Sequence, residues 1–293
     1  MRNPPLATTI LTVLALGTLA GAPRPVAAAP TPAVSPIQVS GATRAEYDDA
    51  AQEWVFRGPQ VVVVRGTLRI AAPLIRYNAA AHLLEVAARG TVTTPTLEVA
   101  ADRMTASLAT RHVTAVGSVA GRFEDGSAAA APGGADWTTF SADAVELDDR
   151  PEARQFVATG HVVVVRRDQE LRGDRVAYNR IAEQGAIDGH AEVIRGTSRL
   201  LADHVRTDQG RGTAQADDHV VLEQEGMRGV ADHATYARDT QTAVLLGHVT
   251  VTRGRDVLTA DRATVRLDQH TALAEGDPAR IVVNAATPEA PTP

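Results

Sequence analysis

The chain has 293 residues, 44% of them apolar, which is enough to bury a sizeable core and excludes a disordered polymer. Its net charge of -6, with 29 arginines and no lysine, excludes the basic field that nucleic-acid binding requires. Two tryptophans, four tyrosines and four phenylalanines are too few and too scattered for base-stacking platforms.

The N-terminus reads as an export signal. Met1-Arg2-Asn3 is a short basic start, and Leu6 to Ala20 (LATTILTVLALGTLA) is an apolar core. Val26-Ala27-Ala28 places small residues at a cleavage site, so residues 1–28 are predicted to be removed on export. The core is short for a membrane span, which needs about 20 residues. Removal of Arg2 and Arg24 takes the net charge from -6 to -8. The absence of cysteine leaves neither an acylation site nor a disulfide frame, so the fold alone must hold the exported protein together. Residues 29–42 form a proline-rich linker (APTPAVSPIQV from Ala29 to Val39), and residues 285–293, with TPEAPTP, form a disordered tail.

Between these ends the chain repeats. Asp174, Asp203, Asp232 and Asp261 follow one another at steps of 29, and so do Gly160, Gly189, Asp218, Gly247 and Gly276. Further back, Asp143 lies 31 residues before Asp174, and Asp102 lies 41 before Asp143. The longer gap holds an insertion, FEDGSAAAAPGGADW from Phe123 to Trp137, predicted as a surface loop. Pro73 takes the aspartate position in an earlier copy and Thr43 in a weaker first one. That gives about eight units. Each has a strand across the glycine (VATGHVVVV), a turn (RRDQ), a strand across the aspartate (LRGDRVAY) and a second turn. Val and Thr dominate the strands and no helical period is sustained, so the fold class is all-β with about sixteen strands.

The phase of the apolar residues locates a bend. Around the glycine they keep even spacing: Phe156, Ala158, Val162, Val164; then Ala214, Ala216, Val220, Leu222; then Ala243, Leu245, Val249, Val251. Around the aspartate the phase breaks, with Leu171 and Gly173 before it and Val176 and Tyr178 after it. A strand keeps both halves inward only if Asp and the next residue together face out, as in a β-bulge, which puts the bend at the Ala/Gly-Asp step of the second strand. The alternative is two separate short strands.

The segments GHVVVVRRDQELRGDRVAY (160–178), GHVTVTRGRDVLTADRATV (247–265) and VVLEQEGMRGVADHATY (220–236) resemble the OstA-like repeats of the LptA family of periplasmic lipopolysaccharide transport proteins. The resemblance covers about residues 43–284. It implies an antiparallel β-jellyroll, or β-taco, whose apolar inside holds the acyl chains of lipopolysaccharide or a related envelope glycolipid. It also implies a periplasmic location, head-to-tail self-association, and inner- and outer-membrane transport components as partners. The groove lining expected on that basis is Trp54, Phe56, Phe156, Val162, Val164, Leu171, Val176, Tyr178, Val220, Leu222, Val249 and Val251. Two departures stand out. Where the family often has Asn after the repeat glycine, this chain has His161, His190, His219 and His248, and the insertion interrupts the stack. The chain also lacks the long run of amphipathic barrel strands of the outer-membrane relative LptD.

The four histidines fall on the solvent face, and no acidic or cysteine partner recurs in fixed register with all four, so no metal is expected. The aspartate ladder carries the same residue in every unit, whereas catalysis needs one pair in different environments. No nucleophile triad, P-loop or dinucleotide fingerprint occurs, so neither an enzyme nor a cofactor is expected. The competing readings are a structural or adhesive β-solenoid of the cell envelope and an LptC-like partner anchored by its N-terminal segment.

Overall fold

The structure, a computed structural model, describes residues 36–124, 137–148, 150, 152–224, 226–266, 271–276 and 279–282. The regular elements among them are all β-strands. They fall into two compact units, one ending at Ile187 and one beginning at Asp188. The expected leader and the expected tail lie outside the described residues.

The first unit contains β1 (Gln38–Ser40), β2 (Arg44–Asp48), β3 (Glu53–Arg65), β4 (Leu68–Asn78), β5 (Leu83–Val86), β6 (Gly90–Thr94), β7 (Leu97–Ala101), β8 (Arg103–Ser107), β9 (His112–Glu124), β10 (Trp137–Asp148), β11 (Gln155–Arg166) and β12 (Gln169–Asn179). β13 (Gln184–Arg195) crosses from one unit into the other. The second unit continues with β14 (Ser198–Asp208), β15 (Thr213–Gln224), β16 (Met227–Ala237), β17 (Thr242–Arg253), β18 (Asp256–Arg266), β19 (Thr271–Glu275) and β20 (Arg280–Val282).

Pairing is antiparallel throughout, as short turns between successive strands require. β9, β10, β11 and β12 pair in chain order in the first unit, and β14 to β18 do so in the second. Four strands are broken in two. β1 and β2 both pair with β3, β5 and β6 with β4, β7 and β8 with β9, and β19 and β20 with β18. Pairing begins at Gln38, inside the stretch read as linker.

The long pairs from β9 to β12 and from β14 to β18 each shift register once, with one residue more on one strand than on the other, and in β3 Gly58, Pro59 and Gln60 face Pro73. On β11, Thr159 lies opposite Arg175 and Val162 opposite Gly173, so Gly160 and His161 together face the single residue Asp174. Asp218-His219 face Asp232 in the same way, and Gly247-His248 face Asp261. The extra residue therefore belongs to the glycine strand, not to the aspartate strand where the phase break suggested the bend. The aspartate strand shows the break because it is one residue shorter over the same distance. Asp174, Asp203, Asp232 and Asp261 stay unburied beside these shifts.

The strands fold over at this line. Phe140 lies opposite Val164, eight residues from Phe156. In a flat sheet that separation is about 25 Å. The two rings are instead 5.3 Å apart, edge to face, and Phe123 reaches Phe156 at 6.2 Å. In the second unit Gly229 lies opposite Val251, six residues from Leu245. Yet a Cβ at Gly229 would sit 3.8 Å from Leu245 Cδ1. In each unit the apolar faces of the two half-strands thus pack on one another.

The insertion is shorter than its composition suggested. Phe123 and Trp137 belong to β9 and β10, whose pairing runs out to Trp137 opposite Glu124, so the stack continues through this point. Residues 125–136 lie outside the described residues.

Alternation gives a direct test, because neighbours on one strand have opposite fates. Leu84 is 2% exposed and Leu83 38% exposed. Leu84→Ala is expected to cost about 2–5 kcal/mol in urea unfolding, and Leu83→Ala less than about 1 kcal/mol.

Candidate functional site

The cross-strand register aligns inward residues into rows that run from strand to strand. On one side of the fold line in the first unit, Phe56, Ile75, Val86, Met104, Ala115, Val145, Ala158 and Val176 form one row. Nearer the strand ends a second row joins Tyr47, Trp54, Tyr77, Leu84, Ala106, Val113, Leu147, Phe156 and Tyr178. Across the fold line, Val63, Ile70, Val92, Val99, Gly121, Phe140, Val164 and Leu171 make the facing row. The second unit repeats the pattern, with Val205, Ala216, Ala234, Leu245 and Ala263 on one side and Leu200, Leu222, Gly229, Val251 and Leu258 on the other. No row contains a charge.

Nine of the twelve residues singled out in the sequence lie in these rows, and Val162, Val220 and Val249 stand beside the fold line, opposite Gly173, Ala231 and Ala260. Val162, Val164, Leu171, Val176, Val220, Leu222 and Val249 are buried. Phe56, Phe156, Tyr178 and Val251 are half-buried. Trp54 is 37% exposed at the rim, stacked on Phe56 and tilted against Tyr47. Sequence reasoning missed Ile70, Ile75, Val86, Val99, Met104 and Phe140. The signal was present, since Ile70 and Ala72 against Ile75 and Tyr77 show the same phase break across Pro73.

The fold line itself is built from one repeated set of groups. The two residues that face each aspartate are left-handed: φ is 74° and 47° at Gly160 and His161, 63° and 52° at Asp218 and His219, and 76° and 46° at Gly247 and His248. Few residues other than glycine adopt this region, and Asn, Asp and His are the enriched ones. Histidine thus satisfies the same backbone demand as the asparagine common in the resembling family. Asp143 and Asp232, on the preceding strands, pack over Gly160 and Gly247, where a Cβ would overlap their carboxylates.

Carboxylates on the preceding strands hold three of the four histidines, partners that the sequence reading did not assign. His161 Nδ1 lies 2.9 Å from Asp143, His219 Nδ1 2.9 Å from Asp203 and His248 Nδ1 2.8 Å from Asp232. The separation is 18 residues in the first pair and 16 in the other two, a spacing readable in the sequence. The second unit adds His204 to Asp188 at 3.0 Å and His233 to Asp217 at 3.1 Å. These pairs lie on the face away from the apolar rows and are exposed. The hydrogen bond and then the charge of the partner aspartate raise the pKa of His161, His219 and His248 above the ordinary histidine value. Each of these Nδ1 atoms is taken by its own aspartate, so the column is structural chemistry.

Residues 139–271 and 229–288 match the family described as LptA/(LptD N-terminal domain) LPS transport protein. Together these stretches run from 139 to 288, just over half of the chain. Among solved structures the chain is similar to LptH, described as the LptA homologous periplasmic component of the lipopolysaccharide transport device from Pseudomonas aeruginosa. That similarity has 17% identity and a TM-score of 0.27, over 53% of this chain and 83% of that one. No curated protein matches.

The histidine pairs set a pH dependence with a definite sign. A folded-state pKa raised above the unfolded value gives stability that is full below the unfolded value, about 6.5, and is lost as pH rises through the folded one. The triple variant His161→Asn, His219→Asn, His248→Asn keeps residues suited to positive φ. Wild type is expected to lose more thermal stability than this variant between about pH 6 and pH 9. Parallel pH curves would mean that the pairs are not linked to folding.

Proposed function

Because the chain belongs to the LptA/(LptD N-terminal domain) family of LPS transport proteins, a family of carriers and not of enzymes, we propose that its facing apolar rows are a conduit for lipid acyl chains. The observation that carries this reading is the uncharged, strand-to-strand continuity of the rows on both sides of the fold line. Cross-strand pairing aligns inward residues in any sheet with a dry face, and family membership is what favours a conduit over a closed core. A conduit requires the rows, because a chain moving across the strands must find the same surface at each step.

The energetics suit passage. Each buried methylene contributes about 0.8 kcal/mol, so one fourteen-carbon chain contributes on the order of 10 kcal/mol. That attraction is non-directional, and repeated rows offer many near-equal registers instead of one trap. The chain supplies no nucleotide site, so the push comes from elsewhere in the transport machine. In the first unit Phe123, Phe140 and Phe156 occupy the space between the walls, and lipid entry parts them by hinging at Gly160-His161. The cargo on this reading is lipopolysaccharide or a related envelope glycolipid, and the place of work is the periplasm after removal of residues 1–28. Open edges at the two ends of the stack join further copies and the membrane components by strand addition.

Two faces of one strand test the reading. A photo-crosslinking residue at position 162 or 164, on the inward face, is expected to capture purified lipopolysaccharide, whereas one at 161 or 163 is not. Val164→Asp is expected to abolish capture at 162, because a charge in the dry lining is costly to bury. Thermal melting run alongside separates this from unfolding. Equal labelling of both faces, or none in a folded protein, would favour a structural solenoid with a closed core.

A further inference from the structure

We infer that the lip of each folded unit carries a polar collar that takes the carbonyl-bearing linkage between an acyl chain and its headgroup. The inference rests on the lipid reading above and concerns which part of the lipid the protein recognises. Beyond the facing row, several of the last inward residues before the turns are polar, and Arg166 lies opposite Gln169 at that depth. In the first unit Thr138 and Gln169 share the inward phase of Phe140 and Leu171. In the second unit Gln224 does so with Leu222, directly opposite Ser198. Thr207, in phase with Val205, holds the other wall.

These side chains are withdrawn from water: Thr138 is 3% exposed, Gln169 8%, Gln224 7% and Thr207 7%. Thr138 Oγ1, Gln169 Nε2, Gln224 Oε1 and Thr207 Oγ1 nevertheless have no hydrogen-bond partner among the described residues. Buried polar groups are almost always paired, so each such atom calls for an explanation. The fold does not impose polarity there. The same row holds Leu97 and Phe123, paired one after the other before Thr138. Phe123 also fixes the depth of this row, because its ring reaches across to Phe156 on the opposite wall.

A lipid with its tail between the walls and its headgroup outside places the linkage at that depth. Gln169 Nε2 is a donor in need of a carbonyl, and Gln224 Oε1 is an acceptor in need of an N–H or O–H. An N-acyl amide offers its carbonyl to the collar of the first unit or its N–H to that of the second, beside an apolar tail, and a hydroxylated acyl ester offers a carbonyl or an O–H likewise. A plain alkyl glycoside has no carbonyl for Gln169, and a hydrocarbon or sterol ring has neither group at that depth. The collar therefore selects acylated glycolipids by their linkage, independently of the sugar.

The test compares two probes that share a tail and a sugar type, N-decanoylglucosamine and decyl glucoside. Each is titrated calorimetrically into the full chain below its micelle concentration. Wild type is expected to bind the amide about five- to tenfold more tightly, the range set by one to two net hydrogen bonds. The double variant Gln169→Leu, Gln224→Leu is expected to bind both probes equally, with decyl glucoside affinity unchanged and a melting temperature no lower than wild type. Equal affinities in wild type, or a preference that survives in the variant, would overturn the collar while leaving the groove intact. If neither probe binds wild type, the groove reading falls and the collar with it. The wild-type comparison decides the matter even if the variant does not fold.

Discussion

One extra residue in the glycine strand, carried in β11, β15 and β17 by two successive left-handed residues, is the constraint on which the structure depends. A regular antiparallel ladder has no reason to fold over on itself. Inserting a doublet opposite a single aspartate bends the strand at a fixed place and leaves the inward phase intact on both sides. The doublet needs a first residue tolerant of positive φ and a second for which that region is not prohibitive. Gly-His and Asp-His meet the demand where a β-branched pair would not. The preceding aspartate then fills the space above the glycine and takes the imidazole Nδ1. Each exposed pair is individually weak. Within each unit such pairs stand beside the register shifts, on β11 in the first and on β15 and β17 in the second.

From that line the interior follows. Rows on either side face each other because the fold brings them together, as the Phe140–Phe156 and Gly229–Leu245 approaches show. Polar chemistry sits outside on the histidine-aspartate column and apolar chemistry inside. The family to which the chain belongs moves an amphiphile, and an interior of this kind suits the amphiphile's tail. The same geometry sets the depth at which a headgroup linkage meets Thr138, Gln169 and Gln224.

Much of this was legible in the sequence because a period of 29 and a phase break are one-dimensional signals. The all-β class and the family resemblance came from the repeat itself. The inward set at Val162, Val164, Val220 and Val249 came from alternation. Less legible was which strand owns the extra residue, because a phase break in one strand and an insertion in its neighbour look alike without the pairing. The histidine partners were missed for a related reason. The match to Asp143, Asp203 and Asp232 joins one repeat to the next, whereas the period relates only residues at the same place in each repeat. The early lining was hidden by Pro73 at the aspartate position and by broken strands around Gly90 and Asp102. The insertion was overestimated at both ends because its flanking aromatics, Phe123 and Trp137, sit in a Gly/Ala-rich context but pair as strand.

The most direct measurement is a nuclear Overhauser contact between the rings of Phe140 and Phe156 in solution, practicable because the chain has four phenylalanines. Folding at Gly160-His161 places the ring centroids 5.3 Å apart and predicts a strong cross-peak. A missing cross-peak in the lipid-free folded protein, as a flat sheet with those rings about 25 Å apart would give, would contradict the account.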